Sequence, residues 1–275
     1  MAVLNNTLQN AFTPEDYGKL IDTEVNAKSV AFQAATVVET DKHQVRFPVL
    51  LSDPATGWYA ENTPIALVDP ETDEIVVVPA KVAGLTQLSN EAVDDTDPAV
   101  AAIIGRALAR DIGKKIDAAF FGNTVTNGPS GLLSVSGVQV VDTGAGWTTL
   151  DYVHDAKSQA MANGADLTHI VLAEDVALAL AKAKTGTGSN QGLLETVDDG
   201  VKLGGLIALV SPAVTPGNAW ALDSSQVMTV RRKGTTVRQS KDAAFGSDAT
   251  QIRAVSRVSF GYANPAGIVR LHDVN

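Results

Sequence analysis

The sequence predicts an α+β fold, and three observations carry that prediction. Apolar residues recur at helical spacing from residue 98 to residue 121. From about 150 to 211 helical and strand patterns alternate, and residues 226–275 read almost wholly as strand. Helices and strands that segregate in this way mark a mixed fold with more than one sheet. The 275 residues, 45% of them hydrophobic, suffice to bury one large core or two modest ones without disulfide or metal support.

Thr13-Pro14-Glu15-Asp16 has the grammar of a helix start, with Thr as cap, Pro in the first position and acids in the first turn, and it opens a short helix to about Ala27. Val45–Leu51 and Ile75–Val82 are predicted strands. Each contains a proline, Pro48 or Pro79, that cannot donate to a ladder, which places both at sheet edges. The roughly 23 residues between them are rich in Pro, Asp, Thr and Gly. The pattern is a long hairpin, and connections beyond about 12–15 residues are commonly functional. Asp97-Pro98 then caps the strongest helix, in which Val100, Ile103, Ile104, Leu108, Ile112, Ile116 and Phe120 share a stripe, and Gly122-Asn123 ends it. At 1.5 Å per residue it is about 36 Å long, a spine for a whole domain.

Gly-rich turns at 127–131 lead to Leu132-Leu133. There follow a helix at Leu150–Ala162 stopped by Asn163-Gly164, a strand at Leu167–Ala173, a helix at Asp175–Lys184 and a strand at Leu206–Ser211, which together form a small α/β unit. Val227–Arg232 and Thr235–Gln239 are expected to form a hairpin about Lys233-Gly234. Residues 250–262 alternate with period two, placing Ile252, Ala254, Val258 and Phe260 on one face and Gln251, Arg253, Arg257 and Ser259 on the other.

Composition excludes several functions. Zero cysteines remove disulfide scaffolds, thiolate metal sites and cysteine nucleophiles, and suit a reducing compartment. The N-terminus has neither the basic nor the apolar region of a signal peptide, and no apolar run approaches a membrane span. The expectation is a soluble protein with no membrane partner. A net charge of −10 argues against a general nucleic-acid binder. That charge is unevenly spread. Residues 1–225 carry 13 basic and 28 acidic side chains, whereas 226–275 carry 8 basic and 3 acidic. Residues 53–97 hold ten carboxylates against the single cation Lys81. An acidic segment and a basic tail in one chain predict complementary contact within or between subunits.

Motifs of enzymes are weak. Gly186-Thr187-Gly188-Ser189-Asn190-Gln191-Gly192 follows a helix, whereas a phosphate-cradling dinucleotide loop follows a strand and opens a helix. Gly128-Pro129-Ser130-Gly131 lacks the spacing of a nucleophile elbow and reads as a tight turn. His154 and His169 stand outside any motif. Asp94-Asp95-Thr96-Asp97 lacks the glycine and distal glutamate of a calcium loop, and helix capping accounts for Asp97. Arg231-Arg232-Lys233 reads as a strand-end run or an intersubunit contact. No catalytic residue, metal ligand or cofactor is assigned. A distant alternative is an α/β enzyme with a small-molecule site in 164–192.

The order of several features resembles the major capsid protein of tailed bacteriophages, the Hong Kong 97-like fold. These are Trp58-Tyr59-Ala60-Glu61, the apolar run 75–88 with Lys81, Ser89-Asn90-Glu91-Ala92-Val93-Asp94-Asp95, Phe120-Phe121-Gly122 and Gly128-Pro129-Ser130-Gly131-Leu132-Leu133. The resemblance implies an N-terminal arm at 1–35 and an extended loop hairpin with flanking strands at 36–88. It further implies a peripheral domain with spine helix at 89–135, an axial domain at 136–224, and peripheral C-terminal strands at 225–275. It implies self-assembly into pentamers and hexamers of an icosahedral head enclosing double-stranded DNA without sequence-specific binding. Scaffolding, portal and decoration proteins are the other implied partners, and the implied location is the virion capsid, after synthesis in the bacterial host cytoplasm. An encapsulin-like nanocompartment shell is the alternative within the fold. Some members join subunits through a lysine–asparagine isopeptide, but no lysine occurs between Lys42 and Lys81, so noncovalent contacts are expected. The candidate intersubunit residues are Trp58, Tyr59, Glu61, Asp69, Glu71, Asp73 and Glu74 in the arm. Their counterparts are Arg231, Arg232, Lys233, Arg253 and Arg257 in the tail.

Overall fold

The protein is described by a computed structural model over residues 25, 29–52, 55–69, 71–91, 99–144, 146–184, 186, 191–197 and 200–274. In chain order, a short helix α1 (Val30–Ala34) leads into β1 (Thr36–Thr40), then β2 (Val45–Ser52), β3 (Glu71–Val77) and β4 (Ala80–Ser89). The spine helix α2 (Ala99–Phe121) is followed by β5 (Gln139–Asp142), α3 (Asp151–Ala162), β6 (His169–Leu172) and α4 (Glu174–Lys182). Next come β7 (Glu195–Val197), β8 (Gly200–Leu203), β9 (Leu206–Val210), β10 (Ala219–Leu222) and β11 (Val227–Arg232). The chain closes with β12 (Thr236–Ala244), β13 (Ala249–Tyr262) and β14 (Val269–His272).

Two sheets carry the molecule. In the first, the 14-residue β13 is the axis, with β4 antiparallel along one edge from Ala249 to Val258. β12 and β11 pair antiparallel with successive stretches of β13, and β1 adds in parallel to β11. Alternation along β13 decides which side is covered. Ile252, Ala254 and Val258 are buried beneath α2, while Arg253 and Arg257 are exposed. The helix sits close enough that a Cβ at Gly84 of β4 would meet the Leu108 side chain at 2.9 Å. Phe120 packs edge-on against Phe121 and Phe260, both at 4.9 Å between ring centres. Such pairs add about 0.5–1.5 kcal/mol each beyond the area they bury.

The second sheet has seven strands in the order β5-β14-β10-β6-β9-β8-β7. Its centre is apolar: Ile170, Val171, Leu172, Ala219, Ala221, Leu222, Val269 and Leu271 are at most 1% exposed. Helix α3 buries Val153, Ala156 and Ala160, and α4 buries Val176 and Leu180, in the same continuous core. A third, two-stranded unit is the hairpin β2–β3, paired from Val45↔Val77 to Ser52↔Glu71.

The end of the spine helix is closed by the turn that the sequence marked. Leu133 N donates to Gly122 O at 3.0 Å, and a Cβ at Gly131 would lie 2.1 Å from Ala119 O and 2.4 Å from Gly122 O. Only glycine fits there. At the other side of the helix, Asp117 is 8% exposed and accepts hydrogen bonds from Ser29 Oγ (2.6 Å), Ala31 N (3.0 Å) and Val30 N (3.2 Å). The carboxylate thus takes the first amides of α1, a capping task usually given to the residue before the helix. Burial raises the Asp117 carboxyl above its ordinary value, against the pull of those three donors in the other direction.

Five expectations are corrected. The predicted strand 75–82 is two strands, because buried Pro79 ends β3 and β4 begins beyond it. The predicted hairpin about Lys233-Gly234 does not form: β11 and β12 both pair with β13. A two-residue hairpin turn of the first primed type needs positive φ at both central residues. Lys233 has φ +48° whereas Gly234 lies outside the left-handed region, so the chain kinks and runs on. The tail 225–275 does not stay in one sheet, since a 3-10 turn at Pro265–Gly267 sends β14 into the second sheet beside β5 and β10. Residues 30–35 are not free arm: Ala31 and Ala34 are fully buried and Phe32 is 6% exposed. Arg231 lies inside the subunit, for the reason given below. The expected helix at 13–27, apart from Val25, and the Asp94–Asp97 cluster with its cap lie outside the described residues.

Candidate intersubunit surfaces

The side of β13 turned away from α2 divides into an apolar end and a cationic end. At the apolar end Met228 and Val230 of β11 cluster with Val77 of β3, and Val45, Phe47 and Ile75 of the hairpin pack on them. Gly261 makes this contact possible, since its Cβ would stand 2.9 Å from Val77 Cγ2. The hairpin is therefore rooted on the face opposite the spine helix. At the cationic end, Arg257 faces Lys81 of β4 across the ladder, and Arg253 faces Arg238 of β12. All four are exposed. Like charges directly opposite one another destabilise a strand pair, so this face carries a standing repulsion that an anionic partner would relieve.

The hairpin supplies anionic and apolar groups together. Glu71, Asp73 and Glu74 lie exposed on β3, and Glu74 forms an ion pair with Arg46 of β2. Beyond the strands the chain runs through a turn at Ala60–Thr63, closed by Thr63 N donating to Ala60 O at 3.2 Å, with Asn62 at φ +64°. Glu61 and Asp69 are exposed there. Trp58 is 106% exposed, Leu67 101% and Ile65 74%, with Tyr59 at 45%. Several large apolar side chains standing open on one loop mark a contact surface.

The tail cations fall in three different places. Odd residues of β11 point with the buried face of β13 and even residues with the other, so adjacent Arg231 and Arg232 part company. Arg231 is 4% exposed, pairs with Glu39 of β1 and stacks over the Phe32 ring at 5.6 Å. A guanidinium so enclosed holds its own subunit together and offers nothing to a neighbour. Arg232 is half-buried, with Nε donating to Asp41 O at 3.3 Å, and Lys233 is exposed at the kink. Arg253 and Arg257 stand on the open sheet face. Sequence reasoning missed Lys81 and Arg238 as their companions. The signal existed in the two-residue alternation of each strand, but the register that aligns them was not in it.

Signs of a reaction centre are sparse. Among the described residues no group of three or more His, Asp or Glu side chains is placed to hold a metal ion, and no helix is long and apolar enough to cross a membrane. His169, its imidazole lowered by burial, contacts the neighbouring Thr168 hydroxyl at 2.8 Å. A cleft of about 410 Å³ opens at the hairpin root, away from residues 164–192, and Tyr262 is the only titratable side chain lining it.

A spine helix laid over one sheet, a seven-stranded sheet flanked by two helices, and a hairpin whose large apolar side chains stand exposed among the described residues belong to a structural subunit that meets other chains. Comparison with known proteins agrees. Residues 10–273 match the phage capsid family, and the chain belongs to that family. It is a structural protein and not an enzyme, and the family places it with capsids. Its fold is similar to that of a solved structure from Mycobacterium phage Adephagia, at 17% identity and a TM-score of 0.75, covering 90% of both chains. A structure described as the capsid of a native GTA particle computed with C5 symmetry gives 19% identity and a TM-score of 0.72, covering 90% of this chain and 91% of that one. One from Mycobacterium phage Cain gives 16% identity and a TM-score of 0.72, over 96% of this chain and 99% of that one. None of the curated proteins matches the chain.

Proposed function

We propose that this major capsid protein builds the icosahedral head as pentamers and hexamers around double-stranded DNA, and that it does so without covalent cross-links. The acidic hairpin of one subunit seats on the cationic sheet face of the next. The observation that supports this most is the pairing of Lys81 with Arg257 and Arg238 with Arg253 on an open face whose own chain supplies an acidic hairpin rooted on the same side. Glu71, Asp73 and Glu74 are the complementary charges, and Trp58, Tyr59 and Leu67 supply the apolar area that makes the contact worth more than its charges. Surface ion pairs contribute only about 0–1 kcal/mol each, so the contact gains its strength by repetition around a closed shell. With no lysine between Lys42 and Lys81, the hairpin carries no donor for an isopeptide link. Synthesis in the host cytoplasm and work with portal, scaffolding and decoration proteins belong to the same reading.

Charge reversal at Arg253 and Arg257 together tests it. Both side chains are exposed and each faces a cation, so reversal turns two like-charge pairs into opposite-charge pairs and the subunit is expected to fold and to melt no lower than the wild type. Shell yield, measured by sedimentation and electron microscopy, is expected to fall severalfold. Reversal of Glu71, Asp73 and Glu74 in the same chain is expected to restore part of that yield. Shells of normal yield from the Arg253→Glu/Arg257→Glu variant would refute the seat.

A further inference from the structure

The spine helix α2 carries a second cationic surface that the hairpin does not reach. Its outward face presents Arg106, Arg110 and Lys114 at four-residue spacing, with Lys115 beside them and Asp111 as the one carboxylate among them. All five are exposed, and the three stripe cations form no ion pair with any described residue. Like charges four residues apart destabilise a helix by about 0.2–0.5 kcal/mol per pair, so the row is held against a cost of its own.

Position in the sheet sandwich separates this row from the other cations. Helix α2 covers the face of β13 that bears Ile252, Ala254 and Val258, whereas the hairpin rises from the opposite face through Val77, Met228 and Gly261. In a closed assembly of identical subunits every copy turns the same side inward. One side of this domain is therefore the side of the hairpins and the other is the side of the helix. The sheet cations find carboxylates on the hairpins. The helix row has no such partner within the described chain, and it is straight: four residues advance about 6 Å along a helix axis, so the three cations span about 12 Å. The phosphates of one DNA strand advance about 3.4 Å each, so three or four of them lie under such a span.

We propose that the helix side faces the lumen and that Arg106, Arg110 and Lys114 contact the phosphate backbone of the packaged DNA, without reading its sequence. The contact rests on the chain forming a DNA-filled shell but not on where the hairpin seats. Three cations per subunit make a weak, salt-sensitive hold on a chain that is otherwise strongly acidic. Such a surface lets DNA lie against the wall and still slide.

Lysine labelling tests this directly. DNA-filled and empty shells are treated with a small amine-acylating reagent, and modification at each lysine is quantified by mass spectrometry. Lys114 is expected to react severalfold more slowly in filled shells, with the difference lost once the DNA is released, while Lys81 and Lys202 react alike in both. Equal rates at Lys114 would overturn the proposal, whether solvent or another protein segment covers it. In a second measurement, unassembled protein is titrated onto a DNA duplex over a range of salt. Each phosphate contact contributes about 0.9 to the slope of log K against log salt, so Arg106→Gln/Arg110→Gln/Lys114→Gln is expected to flatten that slope by about 2.7. A wild-type protein that does not bind the duplex at low salt, or a variant with an unchanged slope, would also overturn it. Failure of the hairpin seat shows differently, as Lys81 labelled equally in shells and in free subunits.

Discussion

Replacing Asp117 with alanine probes the joint between the spine helix and the segment that enters the domain. In the wild type the carboxylate satisfies the Val30 and Ala31 amides and the Ser29 hydroxyl, and all three of these residues are 7% exposed or less. A buried donor left without an acceptor costs about 1–3 kcal/mol. Removing a carboxylate that is itself buried returns part of the loss, and we expect a net destabilisation of about 3 kcal/mol. For a chain of this size that lowers the melting temperature of the unassembled subunit by roughly 6–12 °C. Calorimetry or circular dichroism measures it. The pH dependence gives an independent check. Burial raises the folded-state value of this carboxyl above 3.8, so the native chain holds the proton more tightly than the unfolded one. Asp117's contribution therefore grows as pH falls through the raised native value, and is complete below about 3.8. The wild type's advantage over Asp117→Ala should widen on acidification. An advantage that narrows would show that the three donors outweigh burial and would overturn the raised carboxyl, whereas a variant within about 0.5 kcal/mol of wild type would refute the capping role.

Other substitutions separate folding from assembly. Gly131→Ala places a Cβ against two backbone carbonyls that cannot yield, and is expected to cost more than about 3 kcal/mol of subunit stability by urea titration, near the top of the range for single substitutions. Arg231→Ala strips the buried guanidinium from the Phe32 ring and from Glu39, whose own carboxylate stays exposed to water, and should cost about 1.5–3 kcal/mol, visible in the isolated subunit before any assembly. Trp58→Ser on the open hairpin tip should leave the melting temperature within about 1 °C while reducing shell yield.

Elements whose pattern has one solvent face and one core face were legible. The stripe from Ile104 to Phe120 gave the spine helix, and the alternation of 250–258 gave β13, because in each a single buried side imposes its period on the sequence. Strand β11 was opaque for the opposite reason. Val227, Thr229 and Arg231 point into the main core while Met228 and Val230 point into the hairpin root, so burial on both faces erases the alternation that would have separated Arg231 from Arg232. The four residues of β14 carry no mark of which sheet they join; that is settled by pairing with β5, some 130 residues earlier. The tail carries the excess of cations, but the facing pairs, one of which takes Lys81 from β4, were not legible, since register is a property of two strands and not of one.

The main sheet is stitched from distant parts of the chain. Glu39 and Arg231 are 192 residues apart, Ala31 and Thr229 198, and Asn90 and Asp248 158. Contacts of such long reach make folding wait on chain closure. At 5–20 residues per second, a ribosome needs about 8–30 s to bring β13 out after β4. Until then the hairpin has no root and the cationic face no strands to carry it. The surfaces proposed to join subunits are therefore completed only when the last strands of the main sheet have emerged.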